Sequence, residues 1–175
     1  MDIKLPSGDR LSIAHLQPCI IECECKGLDR KLRIRVAFAN HCYTEDFNPD
    51  RHDQKDILLY DSPSKPRCFC ALRYELSKRL PEIIATLPDQ KVHQTPEARN
   101  YVFFAKINVS HRPYEIFFML QRAGKDAPED LRLTVESAYC RDDGETSIAK
   151  RPRAIRFKIL ALKVLRNERV RFAPR

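Results

Sequence analysis

The chain has 175 residues, a net charge of +8, 43% hydrophobic residues and seven cysteines. This length supports one domain, with a core large enough to need neither metals nor disulfides. No run of about 18 apolar residues escapes interruption by charge, which excludes a transmembrane helix, and no apolar signal core follows Met1, so a cytoplasmic protein without a membrane partner is expected.

Taken in order, Met1–Pro18 has weak periodicity, with a short strand expected near Leu11–Ala14. Cys19–Cys25 and Lys31–Ala39 alternate apolar and polar residues, and the connector Lys26–Arg30 contains a glycine, so the two read as a β-hairpin. Asn40–Asp56 reads as a polar loop, Asp56–Tyr60 as a short strand and Ser62–Pro66 as a turn. Two prolines in that turn remove donors and bias their predecessors away from helix. Arg73–Leu87 carries an apolar stripe of Leu76, Leu80, Ile83, Ile84 and Leu87 at helical spacing. Pro81 inside it should kink the helix or start a second one. His93–Ala98 reads as a loop.

Asn100–Asn108, Tyr114–Arg122 and Asp130–Cys140 then form a predicted three-stranded meander. Tyr114–Leu120 is apolar on both faces and should be its central strand. In Asp130–Cys140, period-2 spacing places Leu131, Leu133, Val135, Ser137 and Tyr139 on one face, with Arg132, Thr134, Glu136 and Ala138 on the other. Arg141–Lys150 is a charged loop. Ala154–Leu165 reads as a helix, although Ile155–Leu162 also alternates like a strand, and Arg169–Phe172 reads as a short strand. The expected fold is α+β, a single domain over 1–175 with an antiparallel sheet, a central three-stranded meander and two helices packed on one face.

The charge is uneven. Residues 150–175 hold ten Lys/Arg and one acid, Glu168, for +9, which leaves −1 for the rest of the chain. Such asymmetry points to a polyanion, RNA first and an acidic protein second, against the plain alternative of a solvated helix face and tail. Arg151, Arg153, Arg156 and Lys158 are the expected nucleic-acid contacts.

The seven cysteines, an odd number without an export signal, favour free thiols in a reducing compartment. Cys23-x-Cys25, His41-Cys42 and Cys68-x-Cys70 could ligate zinc, but structural zinc sites usually show Cys-x₂₋₄-Cys on a turn. No metal and no cofactor are expected. With four glycines the chain lacks a phosphate-cradling loop, and it contains neither His-Glu-x-x-His nor Gly-x-Ser-x-Gly.

Antiparallel pairing in the meander would gather His111, Arg112, Tyr114, Glu136 and Tyr139 at one end of the sheet. A His or Glu base, an Arg for phosphate and a Tyr acid are the ingredients of metal-independent RNA cleavage through the 2′-hydroxyl. The alternative is a plain exposed hairpin tip beside a core tyrosine. Further candidates are His41 and Tyr43, at the close of a strand, and Arg73 and Ser77, which at i, i+4 can face one partner.

His41-Cys42-Tyr43, Pro66-Arg67-x-Phe69-Cys70, Arg73–Lys78 with Leu80-Pro81, Val135–Tyr139 and Ile155-Arg156-Phe157 together resemble a family of small bacterial and prophage proteins. That family carries labels such as stationary-phase growth adaptation protein. The resemblance spans about residues 35–175, excludes Cys19, Cys23 and Cys25, and implies a mobile-element or growth-control context without a mechanism. The expected function is RNA binding with toxin-like, metal-independent ribonuclease activity, and a protein inhibitor as a further partner. The alternative is a non-enzymatic protein that docks on an acidic partner.

Overall fold

The structure, a computed structural model, describes residues 1–94, 101–105, 114–140 and 154–170. The strands are β1 (Asp2–Lys4), β2 (Arg10–Ser12), β3 (Cys19–Cys23), β4 (Leu32–Phe38), β5 (Thr44–Asp46), β6 (Ile57–Ser62) and β7 (Lys65–Phe69). After helices α1 (Ala71–Ser77) and α2 (Leu80–Thr86) come β8 (Lys91–Gln94), β9 (Tyr101–Ala105), β10 (Tyr114–Arg122), β11 (Leu131–Cys140), β12 (Ala154–Arg156) and helix α3 (Phe157–Leu165).

The fold is α+β. Seven strands form the main sheet in the order β12-β8-β9-β10-β11-β4-β3, beside a three-stranded sheet β5-β7-β6 and the β1-β2 pair. The meander lies at its centre with β10 in the middle, antiparallel to both neighbours. The β3–β4 hairpin extends the same sheet, but β4 lies parallel to β11, so the sheet is mixed rather than wholly antiparallel. Asp130 sets that parallel register. Its carboxylate accepts two bonds from the Arg30 guanidinium (2.7 and 2.5 Å) and one from the Arg33 N–H (2.8 Å), while its own N–H donates to the Arg33 carbonyl at 2.8 Å.

Alternation along each strand gives the sheet one dry face. Leu32, Ile34, Val36, Ile116, Phe118, Leu131, Leu133 and Val135 are fully buried there. The buried side chains of all three helices, among them Leu76, Leu80, Ile84, Phe157 and Leu160, join them in one cluster. Phe118 meets Phe157 with ring centroids 6.1 Å apart. Packing of this kind, more than intrinsic propensity, stabilises helices of seven to nine residues.

The segment over 73–87 takes the second of the two outcomes expected for it: Pro81, in the first turn of α2, cannot donate backward, and a second helix starts after a break at Lys78-Arg79. Several expectations are corrected. The region 154–165 begins as β12, paired with β8, and turns helical only at Phe157. Arg169 and Val170 are not in a strand, and the rest of that predicted strand lies outside the described residues, as does the 141–150 loop. The 40–56 loop contains β5, the 62–66 turn runs into β7, and His93-Gln94 belongs to β8.

The period-2 reading of β11 fails at its C-terminal half. Phe118 pairs with Val135 but Phe117 pairs with Ser137, so Glu136 is an extra, bulged residue. Beyond it the phase is reversed: Ala138 is fully buried, whereas Ser137 and Tyr139 emerge half-buried on the outer face.

Candidate functional site

The reversed phase matters because Ser137 and Tyr139 help line a groove of about 850 Å³. Its other walls are the turn after β4, α1 and the three-stranded sheet, which supply His41, Arg73, Asp46, Asp61, Lys65 and Arg67. His41 sits in one 3₁₀ turn, Asn40–Cys42, immediately beyond β4. Its Nε2 lies 2.6 Å from Asp61 Oδ2, and Asn40 Nδ2 donates to Asp61 Oδ1 at 2.8 Å. Both oxygens of Asp61 are therefore engaged, and the carboxylate holds the imidazole in one orientation. Burial pushes the Asp61 carboxyl up, but the bonds from Asn40 and His41 and the charge of Arg67 outweigh it and hold it below the usual carboxylate range. With Asp61 ionised, the carboxylate accepts from Nε2 and the Nδ1 edge of the ring is left for another partner.

Arg67 is the buried anchor of this wall, 3% exposed. Its Nε donates to Thr44 Oγ1 (2.8 Å), one terminal nitrogen donates to the Thr44 carbonyl (3.0 Å), and the other bonds Asp46 (2.5 Å) and lies 3.4 Å from Asp61. One guanidinium thus ties β5, β6 and β7 together and lies against both groove carboxylates. Arg73 is different. It donates to the carbonyls of His41 (3.3 Å) and Thr44 (2.7 Å), and its guanidinium carbon stands 4.9 Å from the centroid of the Tyr139 ring. Neither Arg73 nor Lys65 pairs with a carboxylate among the described residues, so the groove sets three cations against two carboxylates, an excess of one positive charge, beside a histidine, a phenol and the Ser137 hydroxyl.

The sequence-derived candidates separate. His41, Arg73 and Tyr139 meet in this groove. Glu136 is the bulge residue, and Glu115 is the carboxylate opposite Tyr139. His111 and Arg112, and with them their expected gathering with Tyr139, lie outside the described residues. Tyr43 is buried, which pushes its phenol up. Ser77 does not share a partner with Arg73: it is fully buried, donates to the Tyr74 carbonyl at 2.7 Å and lies 2.8 Å from His15 Nε2. Arg151 and Arg153 lie outside the described residues. Arg156 is exposed on β12, and Lys158 is paired with Asp89 at 2.7 Å. Sequence reasoning does not single out Asp61 or Arg67, since Asp61 closes an apolar run before a turn and is joined to His41 only across twenty residues of chain.

The cysteines are dispersed. Cys23 and Cys25 face each other (Sγ–Sγ 3.7 Å), Cys42 donates to the Val135 carbonyl at 3.8 Å, and among the described residues no three His, Cys, Asp or Glu side chains converge as a metal site. No helix among them is long and apolar enough to cross a membrane.

The fold and groove define a basic α+β protein with a histidine–aspartate pair at the mouth of a cationic cleft. The YjaZ family profile matches residues 3–165, and the chain belongs to that family. It is similar to Protein YjaZ of Escherichia coli (strain K12), 27% identical over 139 residues that cover 79% of this chain and 73% of the relative. No solved structure matches.

Proposed function

We propose that the protein binds RNA and cleaves it without a metal, in the groove of His41, Asp61, Arg73 and Tyr139. The supporting observation is that a carboxylate-held imidazole, a guanidinium free of carboxylate partners and a phenol share one cleft. His41 Nδ1 accepts the 2′-hydroxyl proton, the O2′–P bond forms as the P–O5′ bond breaks, and Tyr139 protonates the departing O5′. Arg73 sits against the phosphoryl oxygens, where charge develops. The products are a 2′,3′-cyclic phosphate and a 5′-hydroxyl, and solvent returns the proton from His41 to Tyr139. A small ribonuclease of this type suits the toxin-like, stationary-phase and growth-control setting that the family labels imply, with a protein inhibitor as its natural partner.

The test is incubation of single-stranded RNA with the protein in EDTA, followed by analysis of the new ends. Cyclic phosphate ends from wild-type protein, lost in His41→Ala and reduced at least about 100-fold in Tyr139→Phe, are expected for removal of an acid or base. RNA affinity should change far less than cleavage in both variants. RNA that binds but stays intact removes the chemistry and leaves a binding protein. Absence of RNA binding at about 50 mM salt, where screening is weak, moves the reading to docking on an acidic protein.

A further inference from the structure

The helices pack on one face of the main sheet, and the residues that alternate outward form a second surface that the sequence charge count conceals. Arg35 and Arg132 are register partners across the parallel β4–β11 pair, and Lys91 and Arg156 are partners across β8–β12. All four are exposed. Like charges placed directly opposite one another destabilise a sheet, so two such pairs on one face call for an anion. Among the described residues Glu129 serves the first pair, bonded to Arg132 at 2.9 Å and held below the usual carboxylate range by that bond, with Arg35 contributing through its charge. Arg35, Lys91 and Arg156 form no ion pair among the described residues.

Between the two cation pairs the face carries one carboxylate, the fully buried Glu115 opposite Tyr139, and is otherwise less polar. Thr134, Met119 and Phe117 lie there half-buried, and Phe117 stacks on Tyr139 with centroids 5.5 Å apart and planes 17° apart. The surface is continuous with the groove, because Ser137 and Tyr139 belong to both. From β4 to β12 there are five strand spacings, a span of about 24 Å. Positive charge repeated at both ends of such a span, with an aromatic ring between, matches a chain of phosphates carrying bases that stack. A duplex hides its base faces and cannot use the ring.

We infer that the outer face of the sheet is a platform for single-stranded RNA, with phosphates on Arg35/Arg132 and Lys91/Arg156 and a base against Phe117, leading the strand into the groove. This rests on the proposed RNA function and names where and in what form the substrate is held.

The experiment measures binding of a fluorescent single-stranded RNA of about 12 nucleotides by anisotropy, from about 50 to 200 mM salt, in EDTA, for wild type and for Arg35→Ala/Lys91→Ala/Arg156→Ala. Three lost phosphate contacts should flatten the log–log slope by about 2, at about 0.7 each. Because the three positions are solvated, the thermal midpoint should stay near wild type, and a duplex of equal length should compete poorly. Phe117→Ala should weaken binding without altering the slope. An unchanged slope in the triple variant overturns the platform, whether or not RNA is cleaved. A flattened slope with no cleavage by wild-type protein keeps the platform and removes the groove chemistry. If wild type binds an acidic peptide but not RNA, the platform is overturned and the face is a protein-docking surface.

Discussion

Arg67 shows how one side chain can organise a site without touching a substrate. Its guanidinium is almost wholly buried and is saturated by the Thr44 hydroxyl, the Thr44 carbonyl, Asp46 and Asp61. It thereby takes up the negative charge of Asp61, while His41 remains free to use its second nitrogen. Arg67→Ala should cost roughly 1–3 kcal/mol, because it leaves acceptor atoms of the fully buried Thr44 short of a donor, whereas the exposed Asp46 stays hydrated. Urea unfolding followed by circular dichroism measures this, and a change under about 1 kcal/mol would show that Arg67 is peripheral. Arg67→Lys should recover little, because an ammonium cannot span the threonine and both carboxylates in one plane.

Among the elements, β11 carries the most consequence. Its bulge at Glu136 turns Ser137 and Tyr139 away from the core and into the groove, and turns Ala138 inward. A bulge is one surplus residue, so deleting Glu136 leaves a regular strand in which Val135 and Ala138 still face inward and Tyr139 still faces the groove. That deletion should therefore be tolerated, with Tyr139 still beneath Arg73. Deleting Thr134, by contrast, shifts the phase where the ladder is regular, and Val135 turns outward. It should cost roughly 1.5–3 kcal/mol from Val135 alone. Thermal melts of the two deletion variants compare them directly; equal losses would mean that the bulge is not a surplus residue. The broken α1–α2 segment has a similar logic, since the break at Pro81 frees α1 to point Arg73 at the groove while Ser77 and Leu76 stay in the core.

For the whole molecule, six free thiols that burial pushes up make stability depend on alkaline pH. Burial pushes Cys42 up to about 12, and burial, followed by the neighbouring Cys25, pushes Cys23 up to about 12. In the unfolded chain both ionise near the ordinary cysteine value of about 8.5. Below that pH both states hold the proton and nothing changes. Above it the unfolded chain loses protons that the folded chain keeps, so stability falls as pH rises, by up to about 1.4 kcal/mol per pH unit for Cys42 alone. Urea midpoints between pH 7 and 10 should decline from about pH 8.5 onward, and Cys42→Val should flatten the decline; a flat wild-type profile would show that the thiols are not masked. Much of this molecule was already readable in its residues. Alternation identified the hairpin, the meander and β10 as its central strand, and helical spacing with Pro81 identified the α1–α2 region, because period and backbone chemistry are local properties. His41, Arg73 and Tyr139 were visible as chemically apt side chains. Their meeting was not, nor was the recruitment of Asp61 and Arg67, because these contacts join strands and turns far apart in the chain. The facing of Tyr139 was misread for the same reason: a bulge is defined by the partner strand it opposes, so only the paired sheet could decide which way Ser137 and Tyr139 turn.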